Sequence, residues 1–166
     1  MLRCLTLFLA TVMLGMPALA QDALIRHFNT QVFESVLSDA AERVDETVTT
    51  ATEELADGTP LVTAVTSDGT RFGVIGTACS DGGKCVGVNL IVIIEVPPAC
   101  ITTKQINQWN VDSAYAKYLL MEPGQVALTR YLILDHGQTR ENLVVDATNY
   151  ISTLQTLVDE TNSCTP

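Results

Sequence analysis

The sequence predicts an α+β domain: an antiparallel sheet with helices packed on one face. Three observations predict it. Residues Arg71–Val96 alternate apolar and small or polar side chains with period two on both arms of a Gly-rich turn, the pattern of a hairpin with one core face. Segments at both ends of the chain instead carry apolar residues at three- and four-residue spacing, the mark of amphipathic helices. The strands are separated by short turn sequences such as Ser67-Asp68-Gly69-Thr70 and Glu122-Pro123-Gly124-Gln125, which favour hairpins over parallel crossovers.

Residues 1–20 read as a secretory leader, with Arg3 in a short basic region, an apolar run from Leu5 to Leu14, and Ala18-Leu19-Ala20 as a small-x-small site before Gln21. Cleavage between Ala20 and Gln21 and a periplasmic or secreted location are expected. A membrane anchor would need about 20 apolar residues, and Pro17 interrupts this run. Cys4 lies too far from the cleavage point to be a lipid attachment site, so no stable membrane insertion is expected. Removing the 20-residue leader from 166 residues leaves enough chain for one domain with a substantial core.

The formal charge is −10, and losing Arg3 makes it more negative by one. Such a surface repels phosphate backbones, so nucleic acid is not expected as a partner. Of the five cysteines, Cys4 leaves with the leader. An even number in an exported chain favours disulfides. Folding Cys79 onto Cys85 sets Thr77 opposite Gly87, Ile75 opposite Asn89 and Gly73 opposite Ile91. Phe72, Val74, Val86, Val88, Leu90 and Val92 then share the core face. Facing residues in a ladder lie within disulfide reach, so Cys79 is expected to pair with Cys85, leaving Cys100 for Cys164.

Along the chain, Leu24, Ile25, Phe28, Val32, Phe33, Val36, Leu37 and Ala40 predict one amphipathic helix from Asp22 to Ala41, with a break point near Asn29 and Thr30. Val44–Thr52, rich in Val and Thr, favours an extended segment, although 41–55 also fits a helical continuation. These segments form an N-terminal region, 21–60, and residues 61–166 complete the same domain. Leu61–Thr66 is a strand leading into the central hairpin, which ends at Pro97-Pro98. Thr102 and Gln105 fit a capping box opening a short helix with Ile106 and Trp109 on one side. Ala116–Met121 and Val126–Leu134 form a second hairpin. Gly137 and Thr139 open a last helix with a stripe of Leu143, Val144, Ala147, Ile151, Leu154, Leu157 and Val158.

Phe72 and Val74 before Cys79, the Asp81-Gly82-Gly83 turn, Cys85 opening an apolar strand, then Ile106, Asn107, Trp109 and Asn110, and finally Gly137 with Glu141-Asn142-Leu143 together resemble the YbjN-like family, described as bacterial sensory transduction regulators. The resemblance covers 61–158. It implies a fold similar to type III secretion chaperones, in a family without an established catalytic residue. This chain departs from the family pattern at Gly76, Thr77 and Ala78, where aromatics are usual, and in its additional Cys100 and Cys164.

Four residues are candidates for a binding surface. Trp109 and Asn110 could stack and bond a ligand, but the plainer reading makes Trp109 the anchor of its helix and Asn110 its cap. Asp135 and His136 end a strand beside Gly137 and could do proton chemistry. His27 is the other histidine and no nucleophile motif accompanies the pair, which favours a surface turn. Cys79 and Cys85 flank a loop rather than forming a C-x-x-C at a helix start, so a structural bridge is preferred to a redox pair. No catalytic residue, metal site or cofactor is expected. The expected role is a non-enzymatic binding or regulatory module with a protein partner. The alternatives are a small hydrolase or thiol-redox enzyme, and an envelope protein that self-associates, for example as a homodimer.

Overall fold

The computed structural model describes residues 23–164; the expected leader and its cleavage point lie outside the described residues. Three helices and six strands follow in the order α1 (Thr30–Glu42), β1 (Val48–Glu54), β2 (Pro60–Thr66), β3 (Arg71–Cys79), β4 (Cys85–Glu95), α2 (Thr103–Asp112), β5 (Lys117–Glu122), β6 (Gln125–Ile133) and α3 (Arg140–Asn162). The strands make one antiparallel sheet in the order β1-β2-β3-β4-β6-β5. β6 therefore inserts between β4 and β5, so the second hairpin folds back with its later strand inward.

The central register is the one that alternation predicts: Gly73 pairs with Ile91, Ile75 with Asn89, Thr77 with Gly87 and Cys79 with Cys85. The hairpin bridge is formed, with Cα atoms 3.8 Å apart, closer than the usual disulfide range. Ala78, which lies between the paired residues Thr77 and Cys79, has φ of 49°, and this irregularity pinches the end of the ladder. Gly76 has a clear reason to be small. A Cβ there would stand 2.9 Å from the Cys85 sulfur and 3.0 Å from the Phe28 ring. The bridge and Phe28 thus occupy the space that a larger side chain at Gly76 would need.

One face of the sheet meets the helices. Val62, Ala64, Phe72, Val74, Val88, Leu90, Val92, Val126, Leu128 and Leu132 are buried against Phe33, Val36 and Leu37 of α1 and the apolar stripe of α3 in one core. The stripe matches expectation except that Val158 is only partly buried. Tyr150 joins it, its ring centroid 5.6 Å from that of Phe72 in a tilted arrangement and its hydroxyl donating to the Leu128 carbonyl. On the same face Arg130 of β6 pairs with Asp146 of α3 at 2.6 Å.

The N-terminal helix is shorter than expected. Residues before Asn29 do not join it: Ile25 instead forms a β-bridge with Gln138, and Phe28 donates its N–H to the Cys85 carbonyl. Asn29 is the N-cap, its side-chain oxygen accepting from Val32 N at 3.0 Å. The apolar residues Ile25 and Phe28 belong to an extended strap, whose spacing imitates helical periodicity. Extended structure wins at 48–54, because β1 is held by seven paired residues of β2.

Glu46 joins three parts of the fold. Its carboxylate accepts from Thr47 N and Ser67 N, and from the Gln155 amide on α3. The Ser67 hydroxyl beside it first, and then the Thr47 N–H and the other donors, hold its pKa down to about 2 from 4.5. A carboxyl depressed in the folded state stabilises the fold above its unfolded pKa and loses that contribution as pH falls through the folded value. The unfolding midpoint should therefore be flat above pH 4.5 and decline from there towards 2. Asp39, Asp57, Asp68 and Glu141 are lowered too, so Glu46→Gln should flatten part of that decline, as read from thermal melts across pH. An unchanged slope would show that the Glu46 contacts contribute nothing.

Candidate functional site

The four candidate residues do not form one site. Asp135 and His136 lie beyond β6, seven and eight residues past Leu128, the partner of Tyr118. At about 3.3 Å per residue this puts them roughly 23 Å from the Trp109 end. His136 has φ of 68°, its side chain is 93% exposed and its Nε2 lies 3.7 Å from Asp135 Oδ2. No group of metal-ligating side chains forms among the described residues. The pair shapes a turn on the surface, with Asp135 accepting the His136 N–H at 3.0 Å.

Asn110 does not cap α2, whose C-cap is Ser113. Its amide instead pairs with the backbone of β5, donating to Tyr118 O at 2.9 Å and accepting from Tyr118 N at 2.8 Å. One side-chain amide thus substitutes for a neighbouring strand on the exposed edge of the sheet. Thr102 acts as the cap expected of it, accepting from Gln105 N at 3.3 Å. Trp109 packs on Tyr118 with ring centroids 5.2 Å apart, and is only partly buried.

Trp109 and Tyr118 also wall a cleft of about 460 Å³ between α2 and α3, which includes Asp112, Tyr115, Thr156 and Glu160. The cleft is held in shape at both ends. Cys100, just before α2, is bonded to Cys164, just after α3, and Asn110 fixes the far part of α2 to β5. Burial, and secondly the charge of Glu160, push the Tyr118 phenol above its ordinary value.

The larger surface is the sheet face away from the helices. Strand alternation and register place Leu61, Val65, Ile75, Asn89, Ile91, Ile93, Thr129, Tyr131 and Ile133 there. Ile93, Tyr131 and Ile133 are 52%, 51% and 60% exposed. Ordinary half-buried sheets turn polar residues outward, whereas charges on this face stand at its margins, at Glu53, Arg71, Glu95 and Lys117. A polar centre lies among the apolar side chains. Thr129 donates to Asn89 Oδ1 at 2.5 Å, and the Thr77 hydroxyl is buried without a partner among the described residues. Tyr131 leans across Gly87: a Cβ on Gly87 would stand 2.2 Å from the Tyr131 hydroxyl and 2.5 Å from that of Thr77. The candidate list drawn from sequence lacked this face entirely. The hairpin register already set Ile75, Asn89 and Ile91 off the core face, and Gly87 inside a strand often marks a close approach.

Comparison with known proteins places these features. A search of curated proteins finds no match. Among solved structures, a chain of the "Crystal Structure of the ExsC-ExsE Complex" shows a loose likeness, with a TM-score of 0.36 and 12% identity, over 76% of this chain and 91% of that one. The profile of the YbjN family, described as "Putative bacterial sensory transduction regulator", matches residues 32–162. That match runs from within α1 to the last residue of α3, and the chain therefore belongs to the YbjN family.

Proposed function

We propose that this protein is an exported, non-enzymatic binding module that holds a protein partner on its open sheet face. The observation that carries the reading is the apolar, charge-poor character of that face. Exposed apolar patches larger than a few hundred Å² mark interaction sites. Six strands at about 4.8 Å spacing, each contributing about seven residues at about 3.3 Å, span roughly 650 Å², close to the ~800 Å² each partner gives a standard interface. Membership of a family described as regulators supports a binding role, as do the isolated, exposed positions of Asp135 and His136. The leader and the paired cysteines support an oxidising, periplasmic or secreted setting.

The test compares crosslinked captures from the periplasm using the native chain, an Ile93→Glu/Ile133→Glu variant and a His136→Ala variant. Both positions are exposed, so the double variant should keep its melting temperature. It should lose a partner that the native chain and His136→Ala both retain. Capture unaffected by the double change, or lost with His136→Ala alone, would overturn the assignment. Sedimentation of the purified chain decides whether the captured partner is a second copy.

A further inference from the structure

The cleft between α2 and α3 has a composition unlike that of the sheet face. Trp109, partly buried, rests on the buried ring of Tyr118 with centroids 5.2 Å apart, and Tyr115, 49% exposed, lines the same space. Two carboxylates, Asp112 and Glu160, line the same space, and no lysine, arginine or histidine does. Gln108 donates to both oxygens of Asp112 at 3.0 Å, which fixes that carboxylate without neutralising it. Glu160 has no ion-pair partner among the described residues. On the α3 wall, Thr153 and Thr156 donate their hydroxyl protons to carbonyls of their own helix, so the oxygens are left as acceptors. The wall chemistry is aromatic surface with acceptors and negative charge, on a helix tied to α3 by the Cys100–Cys164 bond and to β5 by Asn110.

Aromatic faces attract cations through their quadrupoles, most effectively large cations that shed water easily. A small metal ion would need a cluster of ligating side chains, and the described residues offer none. A neutral apolar ligand would strip water from two carboxylates with nothing in exchange. A volume of about 460 Å³ falls within the range of small-molecule sites and accommodates a substituted ammonium group.

We propose that the α2–α3 cleft binds an organic ammonium cation of the choline class, its alkylated nitrogen against Trp109 and Tyr115, with the buried Tyr118 backing Trp109, and its charge balanced by Asp112 and Glu160. This site is separate from the sheet face and does not depend on a protein partner there.

Trp109 is the single tryptophan, so its emission reports on the cleft directly. Choline chloride is titrated into the oxidised, leader-free chain, against sodium chloride as the ionic control and 3,3-dimethylbutan-1-ol as the neutral isostere of choline. Choline should give a saturable change, with the alcohol about tenfold weaker and sodium chloride without saturation. Tyr115→Ala and Glu160→Gln alter exposed side chains, should leave the melting temperature unchanged, and should each weaken choline several-fold. Phosphatidylcholine vesicles distinguish the source of the cation. Pelleting with them that free choline competes away assigns a lipid headgroup, and saturation by choline without pelleting assigns a soluble cation. Equal binding of the alcohol, full affinity in both variants, or no saturable response to choline together with no pelleting would overturn the proposal.

Discussion

Replacing Leu90 by alanine should destabilise the protein by about 2 to 5 kcal/mol, the cost of deleting a buried branched side chain that its neighbours cannot fully replace. Leu90 is 1% exposed, lies in β4 between Val74 of β3 and Arg130 of β6, and belongs to the core shared by sheet and helices. The matched control lies three residues along the same strand. Ile93 is 52% exposed on the opposite face, so Ile93→Ala should cost much less, about 0.5 kcal/mol. Urea unfolding measures both, and a shift in midpoint at constant slope identifies a change in stability. Equal losses at the two positions would mean that the open face is covered in the isolated protein, for example by a second copy.

The double change Cys100→Ser and Cys164→Ser should cost about 4 kcal/mol, against about 2 for Cys79→Ala and Cys85→Ala. The difference follows from loop length. The long bridge spans a sequence separation of 64 and the hairpin bridge a separation of 6, and the entropy removed from the unfolded chain grows with the logarithm of that length. Denaturation of both variants beside the oxidised native chain checks the ranking. A larger loss at the hairpin would show that packing of the buried Cys85 against Phe28 and Gly76, rather than loop closure, sets the cost.

The hairpin could be read from sequence because three local signals agree there: the alternation, the Gly-rich turn and a pair of cysteines in register. The cap residue Thr102 was legible for the same reason, since its partner Gln105 is three residues away. The insertion of β6 between β4 and β5 leaves no such trace, because strand order is decided by pairings between residues about 40 positions apart, such as Asn89 with Tyr131. Ile25 and Phe28 misled because helical spacing in a short stretch also suits a strap whose partners, Gln138 and Cys85, are distant in the chain. Asn110 looked like a cap because Asn often is one. Its use as a substitute strand depends on where β5 runs, eight residues further on. The open face was only half legible: the hairpin register set Ile75 and Ile91 beside Asn89 and Thr77, but only the pairing of β4 with β6 brings Thr129, Tyr131 and Ile133 next to them.

The Cys100–Cys164 bond also divides the chain by what tension can reach. A force applied to the oxidised chain between a point before α1 and Cys164 passes through that bond, so β5, β6 and the helices that flank them lie in a closed ring that cannot be drawn out. Only the segment before Cys100 can lengthen, and the ring of 64 positions, at about 3.4 Å each, withholds roughly 220 Å of contour. Pulled between those points, the chain would shed α1 and the first four strands while the walls of the α2–α3 cleft stayed tethered to each other.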